Sequence, residues 1–254
     1  SNPTIDHRGP EFSEMTLEIL EGIKKIVKGD ECIPIIFPSS GTGAWEAALV
    51  NILSEGDKVL MYDTGHFSSL WKNMAEKLGF DVVYIQSDWR SGVDTNKIIE
   101  ILEQDKDQKI KAVCMVHNET STGVTSKIPS TIKNIKSLNH PAIIMVDTIS
   151  SLGSIDYYHD EWMVDVTVAG SQKGLMLPPG IAFNFVSKKA IEISTKNNYR
   201  RSYWDWGEMV KTNLSGFFPY TPSTNILFGL KEALRLIENE GLDNIFQRHQ
   251  RHAN

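Results

Sequence analysis

AIIMVDTISSLG, residues 142–153, opens with an unbroken apolar run and places an acid, Asp147, directly after it. A run this short, bounded by polar residues, has the length of a strand. Its lack of polar alternation implies burial on both faces, as in a parallel sheet covered by helices. An acid at the end of such a strand is costly to bury unless a cation or hydrogen-bond donors meet it. The same kind of run recurs at 58–62, 82–85, 112–116 and 164–169, interleaved with helix-like segments at 14–27, 44–53, 70–78, 95–103 and 128–137. This order predicts an α/β fold, a mostly parallel sheet sandwiched by helices. Past Ser187 the spacing predicts a helix to about Lys196, an irregular aromatic and charged stretch over 199–220, and a long helix over 222–240 closed by Gly241. Sheets of this kind bind ligands at the carboxyl ends of their strands, so polar residues there are the candidates for function.

With 254 residues, 41% of them hydrophobic and 23% charged, the chain has the composition of a globular protein with a large core. A net charge of −6 argues against holding nucleic acid or an anionic membrane surface through bulk charge, and favours small-molecule chemistry. There is no apolar stretch of membrane-spanning length and no basic-then-apolar leader, so a cytoplasmic chain is expected. Cys32 and Cys114 are far apart, in or beside apolar runs, and read as buried thiols rather than a disulfide or metal site. Ser1-Asn2 reads as an addition foreign to the natural sequence, and the helical pattern from Leu242 runs to Asn254 without a stop signal, so more chain is expected beyond it. The expected division is an N-terminal segment (1–30), a large α/β domain (31–220) and helices leading onward (221–254).

Three further strand ends carry polar groups. VAGSQKGLMLPPG (168–180) sets Lys173 between an apolar run and a Gly/Pro loop, where by itself it reads as a solvated lysine. PSSGTGAWEAAL (38–49) brings backbone N–H groups, the Thr42 hydroxyl and a helix dipole to one point: either an anion site or an ordinary turn with Thr42 as N-cap, the helix starting near Ala44. It matches neither the dinucleotide fingerprint nor the P-loop, because no Lys-Ser/Thr pair closes it. CMVHNETSTGV (114–124) adds His117, Asn118, Glu119, Thr120 and Ser121. Taken together, an anion cradle, a carboxylate, a polar cluster and a lysine match the needs of pyridoxal phosphate: a Schiff-base lysine, an acid for the ring nitrogen, a phosphate site and a flat side chain to stack.

The segments SGTGAWEAALVN, HNETSTGV, VDTISSLGS, DVTVAGSQKGLMLPPG and KTNLSGFFPYTP, in this order and spacing, resemble the class V aminotransferases of the pyridoxal-phosphate fold type I group, in their alanine/serine–glyoxylate branch. The resemblance implies that Lys173 bonds the cofactor and carries the proton, and that Asp147 pairs with the ring nitrogen. It implies that Thr42, Gly43 and Gln172 hold the phosphate, that Phe67 of DTGHFSSLW stacks on the ring, and that Thr120 bonds the phenolic oxygen. Ser151, near the Asp147 strand end, is counted with the cofactor contacts. Trp71 competes with Phe67 for the stacking role but fits a core helix better.

The resemblance further implies a homodimer with shared sites, in which Thr221 of GFFPYTP touches the neighbouring subunit's phosphate. His7 or Arg8 would meet a substrate carboxylate or lie at a surface or interface. In the family a small C-terminal domain supplies the arginine for that carboxylate, and no residue here takes the role. The implied activity is ping-pong transfer of an amino group from serine or alanine to glyoxylate. Alternatives are a ureidoglycine–glyoxylate enzyme, another class V enzyme such as a desulfurase or epimerase, and a cofactor-binding domain without turnover. A desulfurase needs a mobile cysteine, and neither Cys32 nor Cys114 lies in a suitable loop.

Overall fold

The computed structural model describes residues 5–253, so Ser1-Asn2 and Asn254 lie outside it. In chain order the described residues form α1 (Pro10–Val27), β1 (Ile33–Phe37), α2 (Gly41–Ile52), β2 (Lys58–Tyr62), α3 (His66–Lys77), β3 (Asp81–Ile85), α4 (Thr95–Gln104), β4 (Ile110–Val116), α5 (Ile128–Ser137) and β5 (Ile143–Asp147). There follow β6 (Val166–Gly170), β7 (Ala182–Val186), α6 (Lys188–Lys196), α7 (Trp206–Asn213), α8 (Thr224–Glu240) and α9 (Leu242–Ala253). Seven strands make one sheet in the order β1-β7-β6-β5-β4-β2-β3. The ladders joining β6, β5, β4, β2 and β3 are parallel, while β7 runs antiparallel to both of its neighbours.

Alternate residues of each strand feed two cores, which is why the strands read as unbroken apolar runs. Ile144 and Val146 of β5 join the cluster shared by α1, α4, α5, α8 and α9, whereas Ile143 and Met145 join the cluster under α2, α3, α6 and α7. Parity therefore aims Asp147 at the α2 side.

Two strands and a helix go beyond the sequence reading. Pro34 inside β1 and Asn184 inside β7 made these segments poor strand candidates. Tertiary partners account for both: Pro34 lies in an edge strand, and the buried Asn184 donates from Nδ2 to the Ala44 carbonyl (3.0 Å) and accepts from Trp206 Nε1 (3.1 Å). The stretch 199–220, expected to be irregular, contains α7, whose N-cap Asp205 accepts from the Glu208 N–H (3.1 Å). Its apolar face is short, with Trp206 and Met209 buried, which is too little period to read in sequence. The first and third helices begin earlier than expected, α1 at Pro10, where proline suits the first turn, and α3 at His66. Cys32 and Cys114 are free buried thiols; burial pushes the Cys32 thiol up to about 12 and Cys114 up as well. No helix among the described residues is long and apolar enough to cross a membrane.

Candidate active site

Strand register assembles the cleft. Val116, Asp147 and Val168 lie side by side across β4, β5 and β6, so the three loops that follow open at one level. On the other side Gly170 pairs with Ala182, and Ala182 with Phe37, which sets the β1–α2 turn beside the β6 loop. A cavity of about 150 Å3 forms there. Its wall includes Thr42, Phe67, Thr120, Asp147, Gln172 and Lys173, six of the residues singled out from sequence.

Asp147 is 3% exposed, and each of its oxygens meets a neutral donor. The Ile149 N–H donates to Oδ1 (2.7 Å) and Trp45 Nε1 donates to Oδ2 (2.9 Å). Burial raises its pKa to about 7; the two donors pull it down, and the Glu119 charge pushes it further up. A carboxylate so placed is poised to take a cation. Trp45 was not foreseen as a site residue. It belongs to α2 and lies flat against Trp71 at 5.8 Å and 12°, and Trp71 is the core aromatic that the sequence favoured.

Lys173 is exposed, and no hydrogen bond or ion pair to its amine occurs among the described residues. Its loop is held from below. Ser171 donates from Oγ to the Pro178 carbonyl (2.8 Å), and the Met176 N–H bonds the Lys173 carbonyl (2.9 Å). Gly174 lies so close to the β5 loop that a Cβ would sit 2.2 Å from the Leu152 carbonyl oxygen. Only a glycine permits this approach, and the approach brings the lysine loop against the loop that follows Asp147.

The anion cradle differs from expectation in its first residue. α2 starts at Gly41 with Ser40 at the N-cap position, so Thr42 lies in the first turn, exposed at the cleft wall, rather than capping a helix from Ala44. Gly41 presses on Ile149, and no acid occupies the first turn, so the positive helix end faces the cavity unopposed. Gln172 Oε1 is buried with no hydrogen-bond partner. Rotating that amide would turn Nε2 into the same position, as a donor to an anion. A buried acid without a cation, an unsatisfied amide and an uncompensated helix terminus fit pyridoxal phosphate, whose ring nitrogen and phosphate supply the complementary charges.

Five sequence candidates fall elsewhere. Ser151 is fully buried and its Oγ meets His117 Nδ1 (3.0 Å); the serine on the cleft wall is its neighbour Ser150, because the turn after β5 sends alternate side chains to opposite sides. Burial among Tyr157 and Trp162 lowers His117 to about 4, so this pair is neutral structure. Gly43 lies behind the wall, its Cα facing Ser39 and Trp204. Thr221 is exposed in an irregular segment and is not on the cleft wall. His7 and Arg8 lie in the turn that precedes α1, His7 edge-on to Phe12 at 6.5 Å, away from the cavity wall.

Comparison with known proteins gives the family and agrees with the fold. The family described as aminotransferase class-V matches residues 1–254. The chain is 49% identical over 253 residues to a serine–glyoxylate aminotransferase of Hyphomicrobium methylovorum, covering 99% of this chain and 62% of that protein. It is 43% identical over 251 residues to an L-aspartate–glyoxylate aminotransferase of Paracoccus denitrificans, covering 99% and 63%. Among solved structures, an alanine–glyoxylate aminotransferase from Nostoc sp. superposes with a TM-score of 0.92 at 29% identity, over 99% of this chain and 66% of that one. The chain thus spans less than two thirds of each of these relatives.

Proposed function

The chain belongs to the aminotransferase class-V family, and from that premise we propose that it binds pyridoxal phosphate in the strand-end cleft and moves an amino group from a small amino acid, serine or alanine, to glyoxylate. The observation that carries the proposal is the pairing of a buried acid, Asp147, with an exposed lysine, Lys173, on the wall of one cavity. When bound, the cofactor supplies a conjugated ring that accepts the electron pair left on the substrate's α-carbon. Asp147 would hold a proton on the ring nitrogen and so keep the ring electron-poor. Phe67 offers its ring as a stacking surface, Thr120 a hydroxyl for the phenolic oxygen, and Thr42 and Gln172 donors for the phosphate. Lys173, with its flexible stem and no competing partner among the described residues, would anchor the cofactor covalently and move the proton at the substrate's α-carbon.

The same proposal includes a homodimer in the cytoplasm. Its support is the likeness of GFFPYTP (216–222) to an interface segment, which would bring Thr221 to the neighbouring subunit's phosphate. The decisive experiment follows the half-reaction of the full-length protein. Serine without glyoxylate should yield one equivalent of its 2-oxo acid per site, and adding glyoxylate should yield glycine and continuous turnover. Borohydride should fix the cofactor on Lys173. Absence of bound cofactor would sink the proposal, while the same half-reaction with aspartate or ureidoglycine in place of serine would move only the donor.

A further inference from the structure

Glu119 is fully buried, and both of its oxygens are engaged. Oε1 accepts from the Phe67 N–H (3.2 Å), the Ser121 N–H (3.1 Å) and Ser121 Oγ (2.7 Å), and Oε2 accepts from the Ser68 N–H (3.1 Å). Ser121 Oγ in turn accepts from the His66 N–H (2.9 Å). The first three N–H groups of α3 are therefore all satisfied by one loop from a different strand. That helix has no acid in its own first turn, and its N-cap, Gly65, has no side chain to offer. A negative charge at this helix end is favoured by the dipole as well as by the hydrogen bonds. The space has been cleared for it, since a Cβ on Gly65 would stand 2.6 Å from both Glu119 Cγ and Ser121 Oγ.

Phe67, one of the two α3 residues whose N–H groups donate directly to Glu119, is on the cleft wall, and Thr120 lies between the two residues that do the holding. We infer that Glu119 is the positioning residue of the site, a charged clasp between the β2–α3 and β4–α5 loops that sets the Phe67 ring opposite Asp147 and Lys173. This rests on the cofactor reading above. Without the clasp the first turn of α3 loses its acceptors, and the stacking ring loses its fixed height over the cavity. The Glu119 charge also reaches Asp147, whose pKa it raises, so the clasp and the ring acid are electrostatically linked.

The test is a double-mutant cycle in the full-length protein, using pyridoxal phosphate as the probe. Glu119→Gln keeps the shape but replaces one acceptor by a donor and removes the charge. It should weaken cofactor binding by about tenfold and change the visible circular dichroism of the bound cofactor. In a Phe67→Leu background, where no ring is left to position, the same change should alter the dissociation constant by only about twofold, the part carried by the Glu119 charge on Asp147, the smallest of the influences on that acid. Equal effects of Glu119→Gln in both backgrounds, or no effect in either, would overturn the inference while leaving the cofactor reading intact. A wild-type protein that binds no pyridoxal phosphate would remove both. If Glu119→Gln does not fold, Ser121→Ala, which takes away the acceptor for the His66 N–H and one donor to Glu119, runs the same cycle in milder form.

Discussion

The groove between α1 and the α8–α9 pair is a hollow of about 580 Å3, nearly four times the volume of the cleft at the strand ends, and it too is lined by charged residues. The difference lies in where the charges sit. In the groove Lys25 meets Glu238 at 2.9 Å, Lys231 meets Glu18 at 2.6 Å and Arg235 meets Glu232 at 2.7 Å, all with side chains about half exposed or more. Such pairs are satisfied by one another and by water, so they call for no ligand. In the cleft a buried acid has only neutral donors, a buried amide oxygen has no partner, and a helix end has no counter-charge. Unmet polar need, rather than volume, distinguishes a binding site from a crevice.

That contrast can be broken most severely at Lys173. Lys173→Ala should lower amino transfer by about 10⁴-fold, read by single-turnover production of the 2-oxo acid, and should leave thermal stability near wild type because the side chain is exposed. Near-normal turnover in this variant would assign the chemistry elsewhere. Asp147→Asn should slow the same step by about 10²–10³-fold, an effect of the size seen when a single stabilising group is removed.

Without cofactor, Asp147→Asn should also change how stability depends on pH. The folded-state pKa of Asp147 is about 7 against an ordinary 3.8, so the native state holds its proton longer than the unfolded chain. Its contribution to stability therefore falls as pH rises from about 4 to 7, and the loss is complete above that. His117 and His159 act in the opposite sense. Burial lowers both to about 4 from 6.5, so their contribution is present above 6.5 and is lost as pH falls toward 4. Asp147→Asn should consequently be the more stable protein at pH 8, by an amount on the order of a few kcal/mol, with a steeper acid limb. Denaturant unfolding of the cofactor-free variant across pH 4–8 measures this, and a profile parallel to wild type would mean that Asp147 is not buried as described.

Smaller effects sharpen the comparison. Trp45→Phe keeps an aromatic ring against Trp71 and removes only the donor to Asp147. It should cost about 1–3 kcal/mol, more at pH 8 than at pH 5, because the lost bond serves the ionised carboxylate. In the groove, Lys25→Ala should shift Tm by less than about 2 °C and leave cofactor binding unchanged.

Much of this architecture was legible. The unbroken runs at 58–62, 112–116 and 142–146 announced central parallel strands because they are buried on both faces; Asp147 stood out because an acid at the end of such a run demands a partner, whereas Lys173 gained meaning only beside the other strand-end motifs. The antiparallel β7 and edge β1 were not legible: Asn184 and Pro34 look wrong for strands until Ala44, Trp206 and the sheet edge are seen beside them. Within the site, Ser151 and Ser150 could not be told apart, since a turn's conformation decides which side chain faces the cleft. Trp45 read as one more apolar residue on a helix, and Glu119 as one of several polar residues after a strand.

By itself the sequence determined the layered α/β fold and marked the strand ends, with Asp147 and Lys173, as the proposed place of chemistry, because burial pattern and the cost of a buried acid are local properties of a segment and the lysine motif is a local likeness. Only the tertiary structure decided the partners. Trp45 lies 102 positions from the acid it holds, and Glu119 lies 52 from the phenylalanine it fixes. Hydrogen bonds of a few ångströms across such separations depend on strand order and register, which no single segment encodes.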